Sequence, residues 1–357
     1  MFSKRLFAGA GILLFFFSVR VASAQNLVLV WSDEFNGPAN SAPDPTKWTF
    51  NTGAGGWGNN ELEYYTSRRK NVFIDGQGNL VIKILNKKYT GPDDVSANYT
   101  SARMLTQGIF TQLYGRIEAR IKLPFGQGIW PAFWMLGDNI NTVNWPVCGE
   151  VDIMENIGSE PSTNHGSMHG PGYSGGSSLT GAYSLPGGAP LSDDFHIFTL
   201  DWSPAAVTFS VDGNAYETQT PGNVPPGDKW VFDHPFFLLL NVAVGGDYPG
   251  SPDSTSVFPQ TMLVDYVRVY ADTSQPTAIL INSTATSSGA LVVQGQNFVS
   301  GATILVNGKP VRTIFGSASS VASKKPASKI IGAGQTVTVQ VKNPDGELST
   351  PATVTVN

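Results

Sequence analysis

Short segments in which apolar and polar residues alternate recur along the chain and end at glycine- or proline-rich turns. Examples are NLVIKIL (79–85), HIFTLDW (196–202) and MLVDYVRVY (262–270). A period of two is typical of β-strands that bury one face, and 39 glycines and 24 prolines leave little room for long helices. The sequence therefore predicts an all-β fold, with a sandwich or jelly roll as its main architecture.

The first 24 residues have the pattern of a secretion signal. Lys4 and Arg5 precede an apolar run (6–19), and the stretch 22–24 (ASA) matches a small-residue cleavage site. The run is shorter than the ~20 residues needed to cross a bilayer. We therefore expect cleavage after Ala24 and a secreted mature protein with no membrane segment. A short uncleaved anchor is the alternative.

The charge balance disfavours nucleic acid as a partner. Without the first 24 residues the chain keeps 19 basic and 27 acidic residues, a net charge of −8, whereas phosphate binding needs clustered lysine and arginine. The only cysteine is Cys148, so no intrachain disulfide can form and a large core has to stabilise the fold. We interpret Cys148 as a buried apolar residue rather than a nucleophile, because no activating partner accompanies it.

Aromatic usage changes abruptly near DTSQPT (272–277). All eight tryptophans and all eleven tyrosines precede this stretch, and only Phe298 and Phe315 are aromatic after it. The remaining residues still contain strand-like segments such as ATILVNG (302–308). The predicted organisation is a signal peptide (1–24), a large first domain (25–272), a linker (273–277) and a small β-sandwich (278–357).

The stretch EVDIME (150–155) places three carboxylates in an apolar segment that has no basic residue. On a strand Glu150 and Asp152 share one face, whereas Glu155 would point to the other. A β-bulge at residues 153–154 would return Glu155 to the face of its partners and leave the apolar residues on the core side. The alternative is an edge strand whose outer face is simply acidic and solvated.

Two carboxylates that face each other across a cleft are what glycoside hydrolysis requires, one ionised as nucleophile and one protonated as acid. A separation of about 5–5.5 Å gives retention of configuration. Four strand steps span about 13 Å, so Glu150 and Glu155 have to lean together on a concave sheet.

Two tryptophans shortly before the acidic stretch suit a sugar ligand. Trp130 and Trp134 lie in GIWPAFWML (128–136), where Pro131 excludes a position inside a helix. On a strand or extended loop they would present flat indole faces to sugar rings. Ordinary core packing is the alternative.

Two other segments add candidate ligand contacts. GGWGNNELEYYT (55–66) contains amide and aromatic side chains, including Trp57 and Asn59, that suit neutral polyhydroxylated ligands. His165 and His169 have the spacing of a helical metal pair, but the surrounding glycines oppose a helix and no third ligand is evident, which disfavours zinc. We expect His169 to bond a catalytic carboxylate or the sugar.

Together these motifs resemble glycoside hydrolase family 16, and most closely its laminarinase-type endo-β-1,3-glucanases. The resemblance runs from about Trp31 to Tyr270, and the six-residue ExDxxE form is more similar to laminarinases than to lichenases, which have ExDxE. It implies a concanavalin-like β-jelly roll with a concave cleft. It also implies a retaining endo-glycosidase that hydrolyses internal β-1,3 bonds of laminarin-type or mixed-linkage β-1,3/1,4-glucan.

The resemblance also implies roles for individual residues. Glu150 matches the nucleophile, Glu155 the general acid/base, and Asp152 the residue that holds the orientation and charge state of the nucleophile, while His169 matches the active-site histidine. The implied or expected substrate-binding residues are Trp130, Trp134, Asn59, Arg103, Asn241 and Trp57.

The family often binds one calcium ion on its convex face, away from catalysis. The matching positions are Glu34, Asp265 and a backbone carbonyl near Gly78, and oxygen ligands of this kind suit calcium. The alternative is that both acids are ordinary surface residues. No cofactor is expected for catalysis.

The last 80 residues resemble an immunoglobulin-like IPT/TIG domain through GQNFVSGATILVNG and VKNPDGELS. Without tryptophan or tyrosine this domain is a poor candidate for stacking on sugars, so we expect a spacer or protein-contact role. Two other functions stay open for the whole chain: a non-catalytic β-glucan-binding lectin, and a transglycosylase or galactan hydrolase that uses the same acids. The expected partner is β-glucan, without nucleic acid or membrane, and we expect a monomer.

Overall fold

The computed structural model describes residues 27–272, 279–287, 289–298, 301–317, 319–344 and 346–355. The predicted signal peptide (1–24) and the predicted linker (273–277) lie outside these ranges, so both stay predictions. Within the described ranges, no helix has the length and apolar character that a bilayer span requires.

Seventeen strands and one four-residue helix form between residues 27 and 272. In chain order they are β1 (Leu27–Asp33), β2 (Thr49–Asn51), β3 (Glu63–Tyr65), β4 (Val72–Ile74), β5 (Leu80–Thr90), β6 (Ser96–Ser101), β7 (Arg103–Leu105), β8 (Gly115–Lys122), β9 (Ile129–Gly137), α1 (Ile140–Val143), β10 (Glu150–Glu155), β11 (Thr163–His169), β12 (Leu179–Ser184), β13 (His196–Trp202), β14 (Val207–Val211), β15 (Asn214–Gln219), β16 (Phe236–Val244) and β17 (Gln260–Asp272). Single 3₁₀ turns occupy Gly175–Ser177, Pro186–Gly188 and Pro221–Asn223.

These strands form two sheets. The ten-stranded sheet has the order β15-β14-β13-β8-β17-β5-β6-β3, with β1 paired to β17 and β4 paired to β5. The seven-stranded sheet has the order β12-β11-β10-β9-β16-β7-β2. The large first domain is therefore the predicted β-sandwich of the jelly-roll type.

The main core lies between the two sheets. Ile82, Ile117 and Val267 of the ten-stranded sheet belong to the same buried cluster as Phe133 and Leu240 of the seven-stranded sheet. Burying one such side chain stabilises the fold by about 1.5–3 kcal/mol. Because strand side chains alternate, this core fixes which side chains of the seven-stranded sheet point outward.

A second, smaller cluster lies on the outer face of the seven-stranded sheet. Its buried members are Leu105, Leu136, Cys148, Phe237 and Leu239, and Ile140 and Val143 from α1 pack against it. This cluster anchors the segment that connects β9 to β10 over one end of the sheet. Burial, followed by the nearby charge of Glu150, raises the pKa of the Cys148 thiol to about 11, which confirms that Cys148 is a buried apolar residue.

The residues after 278 form a separate small sandwich. Its strands are β18 (Leu280–Ser287), β19 (Ala290–Gln296), β20 (Thr303–Val306), β21 (Lys309–Val311), β22 (Thr313–Ser317), β23 (Ser320–Pro326), β24 (Thr336–Lys342) and β25 (Ala352–Thr355), and a 3₁₀ turn covers Ala327–Lys329. They make two four-stranded sheets, β18-β19-β23-β22 and β21-β20-β24-β25. These sheets enclose their own core, which includes Leu291, Phe298 and Val339. The predicted immunoglobulin-like sandwich is confirmed.

Candidate active site

The candidate site residues lie on five consecutive strands of the seven-stranded sheet. In sheet order they are His169 at the end of β11, the three acids of β10, Trp130 and Trp134 of β9, Asn241 of β16 and Arg103 of β7. Trp57 and Asn59 come from the loop between β2 and β3. The fold therefore brings together residues that span positions 57 to 241.

A β-bulge lets all three acids share the outer face of β10. The pairing register shifts between Asp152 and Glu155 against β11, and between Asp152 and Met154 against β9. The three apolar residues of the strand belong to the main core. The predicted bulge and the predicted apolar back of the strand are both confirmed. Gly149, at φ 73°, turns the chain into the strand.

Burial makes the three acids unusually weak. It raises the pKa of Glu150, Asp152 and Glu155 well above the ordinary carboxyl range, and the negative charge of Asp152 further raises the pKa of both glutamates. Two neighbours oppose this rise at Glu150, namely His169 and Arg103. Glu150 is also more exposed than Asp152, at 18% against 5% of the side chain. Contact with water and these two neighbours therefore favour the ionised form of Glu150 over that of Asp152.

Glu155 has one specific hydrogen-bond partner. The indole Nε1–H of Trp130 donates to Glu155 Oε1 at 3.0 Å. This bond favours the ionised form and so partly opposes the rise in the pKa of Glu155 that burial causes. Trp130 thus orients the carboxyl group and tunes its acidity.

The orientation of His169 follows from its neighbours. The backbone N–H of Gly175 donates to Nδ1 at 3.0 Å, so Nδ1 carries no proton in the neutral ring. The proton is then on Nε2, which lies 3.0 Å from Asp152 Oδ2 and 3.8 Å from Glu150 Oε1. His169 therefore directs the N–H edge of its ring toward Asp152 and Glu150 and places a positive dipole beside the two acids.

Three possible ligand atoms, one each from Glu150, Asp152 and His169, lie within 4.8 Å of one another. This cluster is compact enough for a metal ion. A histidine that binds a metal usually donates its other ring N–H to an acceptor. Here that position faces the N–H of Gly175, a donor. The arrangement therefore suits a network of acids and a proton donor better than a metal site. His165 bonds Glu160 at 2.9 Å instead of joining His169.

An arginine links the predicted sugar-binding residues. The guanidinium of Arg103 lies 4.7 Å from the ring centre of Trp134 and 5.1 Å from that of Trp57. Trp57 has a φ of 48°, an uncommon conformation for a bulky residue that costs of order 1 kcal/mol and is concentrated at functional sites. The side chains of Arg103, Trp134 and Trp57 therefore form a continuous cationic and aromatic surface beside the acids.

Two exposed aromatic residues near the acids were not identified from the sequence. Tyr248, 41% exposed, has its ring centre 5.4 Å from that of Trp130, and Trp145, 46% exposed, lies 6.2 Å from the ring of His169. They flank the two ends of the acid cluster. Each is an isolated aromatic residue in a loop with proline and glycine, which is the only signal that the sequence offers.

The two acids proposed for calcium have arginine partners in the structure. Glu34 receives two hydrogen bonds from Arg268, at 3.0 and 2.8 Å, and Asp265 receives one from Arg120 at 2.7 Å. A cation at the Glu34 carboxylate would compete with Arg268 for both oxygens, whereas Arg120 engages only one oxygen of Asp265. The predicted calcium site with Gly78 therefore stays a prediction.

Comparisons with known proteins agree with this geometry. A profile of glycosyl hydrolases family 16 matches residues 59–268, and a profile of the IPT/TIG domain matches residues 268–356. The chain is 39% identical over 262 residues to a beta-glucanase of Rhodothermus marinus, covering 71% of this chain and 88% of that protein.

Two solved structures are similar over nearly their whole length. The catalytic domain of an endo-1,3-beta-glucanase (laminarinase) from Thermotoga petrophila RKU-1 is 50% identical, with a TM-score of 0.66, and the match covers 70% of this chain and 99% of that one. The endo-beta-1,3-glucanase from Pyrococcus furiosus is 48% identical, with a TM-score of 0.66, covering 69% and 95%. The two glutamates that glycoside hydrolysis requires lie on one face of β10, and the family profile and these relatives match the same part of the chain. The chain therefore belongs to glycosyl hydrolases family 16.

Proposed function

We propose that the protein is a secreted, retaining endo-glycosidase that hydrolyses internal β-1,3-glucosidic bonds of β-glucans, either laminarin-type or of mixed linkage. One observation carries the proposal. The register shift in β10 places Glu150 and Glu155 on the same face, with Asp152 between them and His169 against Asp152. An acidic surface strand would not need buried carboxyls with raised pKa values, nor a histidine and an indole aimed at them.

The first chemical step uses the different surroundings of the two glutamates. Glu155, whose pKa burial holds above the ordinary range, keeps its proton and donates it to the glycosidic oxygen. Glu150 attacks the anomeric carbon from the opposite side and forms a glycosyl–enzyme ester. Asp152, together with the proton on His169 Nε2, stabilises Glu150 in the orientation that attack requires.

The second step releases the sugar. Glu155, now ionised, takes a proton from water, and the water oxygen attacks the anomeric carbon and displaces Glu150. Two inversions give net retention. The chemistry needs only carboxyl groups and water, so no cofactor enters either step.

The substrate class follows from the walls of the site. Trp130, Trp134 and Trp57 offer flat apolar faces, and Asn59 offers an amide, a combination that suits neutral sugar rings. Arg103 is held against two indole rings rather than presented alone, which disfavours a dedicated carboxylate or sulfate pocket. The named activities of the relatives support β-1,3-glucan.

Three further parts of the proposal rest on the sequence. Secretion rests on the signal pattern at residues 1–24, and the monomeric state is likewise an expectation from the sequence. Calcium at Glu34, Gly78 and Asp265 stays a prediction of the family resemblance. A rise in melting temperature with calcium, reversed by chelation, would support it.

The test is hydrolysis of laminarin by the wild type and by Glu150→Ala and Glu155→Ala. We expect Glu155→Ala to lower kcat by about 10²–10⁴-fold and Glu150→Ala to abolish turnover, with melting temperatures that show a folded protein. Azide should restore bond cleavage in Glu150→Ala and give a glycosyl azide of inverted configuration. Turnover like that of the wild type in either variant would refute the assignment.

The same assay separates the alternatives. A β-glucan-binding lectin would bind laminarin without releasing reducing ends. A panel of laminarin, lichenan, xyloglucan and agarose, with product analysis, distinguishes a glucanase from a transglycosylase or a galactan hydrolase.

A further inference from the structure

A chain of side-chain hydrogen bonds, here called the relay, runs from Trp134 to Glu61. Trp134 Nε1–H donates to Asn241 Oδ1 at 2.7 Å, and Asn241 Nδ2–H donates to the hydroxyl of Tyr65 at 3.0 Å. The Tyr65 hydroxyl in turn donates to Glu61 Oε2 at 2.9 Å. The other oxygen of Glu61 accepts from Asn59 Nδ2–H at 3.2 Å.

The direction of the relay is fixed by its first member. An indole N–H can only donate, so the Asn241 atom that faces Trp134 has to be the carbonyl oxygen. The amide nitrogen then faces Tyr65, whose oxygen accepts. The Tyr65 hydrogen is left for the next residue, which must offer an acceptor. A carboxylate offers acceptors only, so Glu61 can receive both Tyr65 and Asn59.

The relay is buried. Tyr65 is fully buried, and Asn241 and Glu61 are more than nine-tenths buried. Groups in such surroundings cannot exchange a lost partner for water, so a mismatch at one member has to be relieved by movement of another. The movable members are the two that reach the site, Asn59 and Trp134.

A second buried acid adjoins the relay at Glu61. Glu63 is fully buried and accepts from the backbone N–H of Val244 at 2.7 Å. Burial first, and then the charge of Glu61 and a hydrogen bond with its carboxyl group, hold the pKa of Glu63 well above the ordinary range. Glu63 is therefore part of the surroundings that hold Glu61 in place.

We infer that Glu61 is a positioning residue, which accepts from both Tyr65 and Asn59 and thereby fixes the Trp134 indole and the Asn59 amide where substrate sugars contact them. The inference rests on the proposed function for its kinetic consequence. Glu61 touches neither the reacting bond nor the catalytic acids, so it should affect substrate binding much more than the chemical step.

The test compares Glu61→Gln with Glu118→Gln, a matched change in a half-buried acid of β8 in the ten-stranded sheet, which accepts from Tyr270 and has no contact with the relay. In Glu61→Gln one of the two donors would meet an amide NH₂ group, so Asn59 or the relay has to reorient. We expect KM for laminarin to rise about 5–50-fold while kcat changes by less than about threefold, the pattern of lost binding that is shared by ground and transition state. Glu118→Gln should leave KM within about twofold.

A second readout does not depend on activity. The indole ¹H–¹⁵N resonance of Trp134, assigned by its loss in Trp134→Phe, should move in Glu61→Gln and in Tyr65→Phe but not in Glu118→Gln. If Glu61→Gln does not fold, Tyr65→Phe breaks the same relay with its ring retained and carries both measurements.

The outcomes separate the two claims. An unmoved Trp134 resonance, or an equal rise in KM in Glu118→Gln, overturns the positioning role. A wild type without glucanase activity overturns the proposed function, and the resonance still decides whether the relay exists.

Discussion

At the scale of single residues, the acidity of Glu155 is set by its contacts. Burial and the charge of Asp152 raise its pKa, whereas the hydrogen bond from Trp130 lowers it. The general acid has to be protonated to act, so its pKa limits activity on the alkaline side of the pH profile. Trp130 therefore has a role in acidity in addition to its contact with sugar.

Trp130→Phe tests this role, because it keeps an aromatic ring and removes the N–H donor. Loss of the bond destabilises the ionised form, so the pKa of Glu155 should rise. If the bond stabilises the ionised form more than the neutral form by about 0.5–1.5 kcal/mol, its loss corresponds to roughly half to one pH unit. We expect the alkaline limb of the pH profile of kcat/KM to move to higher pH by that amount.

The control is Trp134→Phe, whose lost N–H bonded Asn241 rather than an acid. Its alkaline limb should coincide with that of the wild type even though binding weakens. An alkaline limb that moves to lower pH in Trp130→Phe would contradict the argument.

At the scale of secondary-structure elements, β16 shows how one strand supports both sides of a sheet. All nine of its residues are buried. Leu240 belongs to the main core between the sheets, and Leu239 belongs to the small cluster on the outer face, against which α1 packs. Leu240 therefore supports the fold alone, whereas its neighbour Leu239 also supports the surface near the site.

Leu239→Ala and Leu240→Ala form a matched pair for this distinction. Both side chains are fully buried, so each change should lower the free energy of unfolding by about 2–5 kcal/mol. Only Leu239→Ala should also raise KM for laminarin when both variants are assayed well below their melting temperatures, because it loosens the segment that carries Trp145. Equal effects on KM would show that the small cluster does not support the site.

At the scale of the whole molecule, the site lowers stability as pH rises. Burial raises the pKa of Asp152 to about 8, above the value of about 3.9 in an unfolded chain. A carboxyl with a raised pKa contributes stability that is present below about pH 4 and is lost as pH increases toward 8. The wild type keeps this cost because the reaction needs the buried acids.

Asp152→Asn removes the ionisable group that lowers stability at higher pH, and it keeps a side-chain oxygen beside His169. Its advantage in unfolding free energy over the wild type should grow as pH increases from about 5 to about 8, with a slope of up to about 1.4 kcal/mol per pH unit. Glu34→Gln supplies the opposite sign, because Arg268 lowers the pKa of Glu34, so the deficit of that variant relative to the wild type should be constant above about pH 5 and shrink as pH falls below about 4. Melting curves across the pH range check both, and differences that do not change with pH would contradict the argument.

Much of the fold could be predicted from periodicity. The segment predicted at 196–202 coincides with β13, and the segment at 262–270 lies inside the longer β17. The bulge in β10 was also predictable, because alternation alone places Glu155 on the wrong face. These features depend on residues a few positions apart, and the alternation of strand side chains is a local rule.

Contacts between residues that are far apart in the chain could not be predicted from the alternation of strand side chains. The bond between Asn241 and Tyr65 joins residues 176 positions apart, and the arginine partners of Glu34 and Asp265 lie 234 and 145 positions away. Tyr248 and Trp145 are near the acids only because loops bring them there. Nothing in the local sequence distinguishes them from other loop aromatics.

Local sequence patterns were sufficient to specify the all-β class, the two sandwich domains, and the face of β10 that carries the acids, because side-chain alternation and turn residues act over a few bonds. Packing of the complete chain was needed to set how acidic each carboxyl is, which tautomer His169 adopts, and which residues hold Trp134 and Asn59 in place. Those properties depend on burial and on hydrogen bonds between distant strands, and such contacts exist only after the two sheets have packed together.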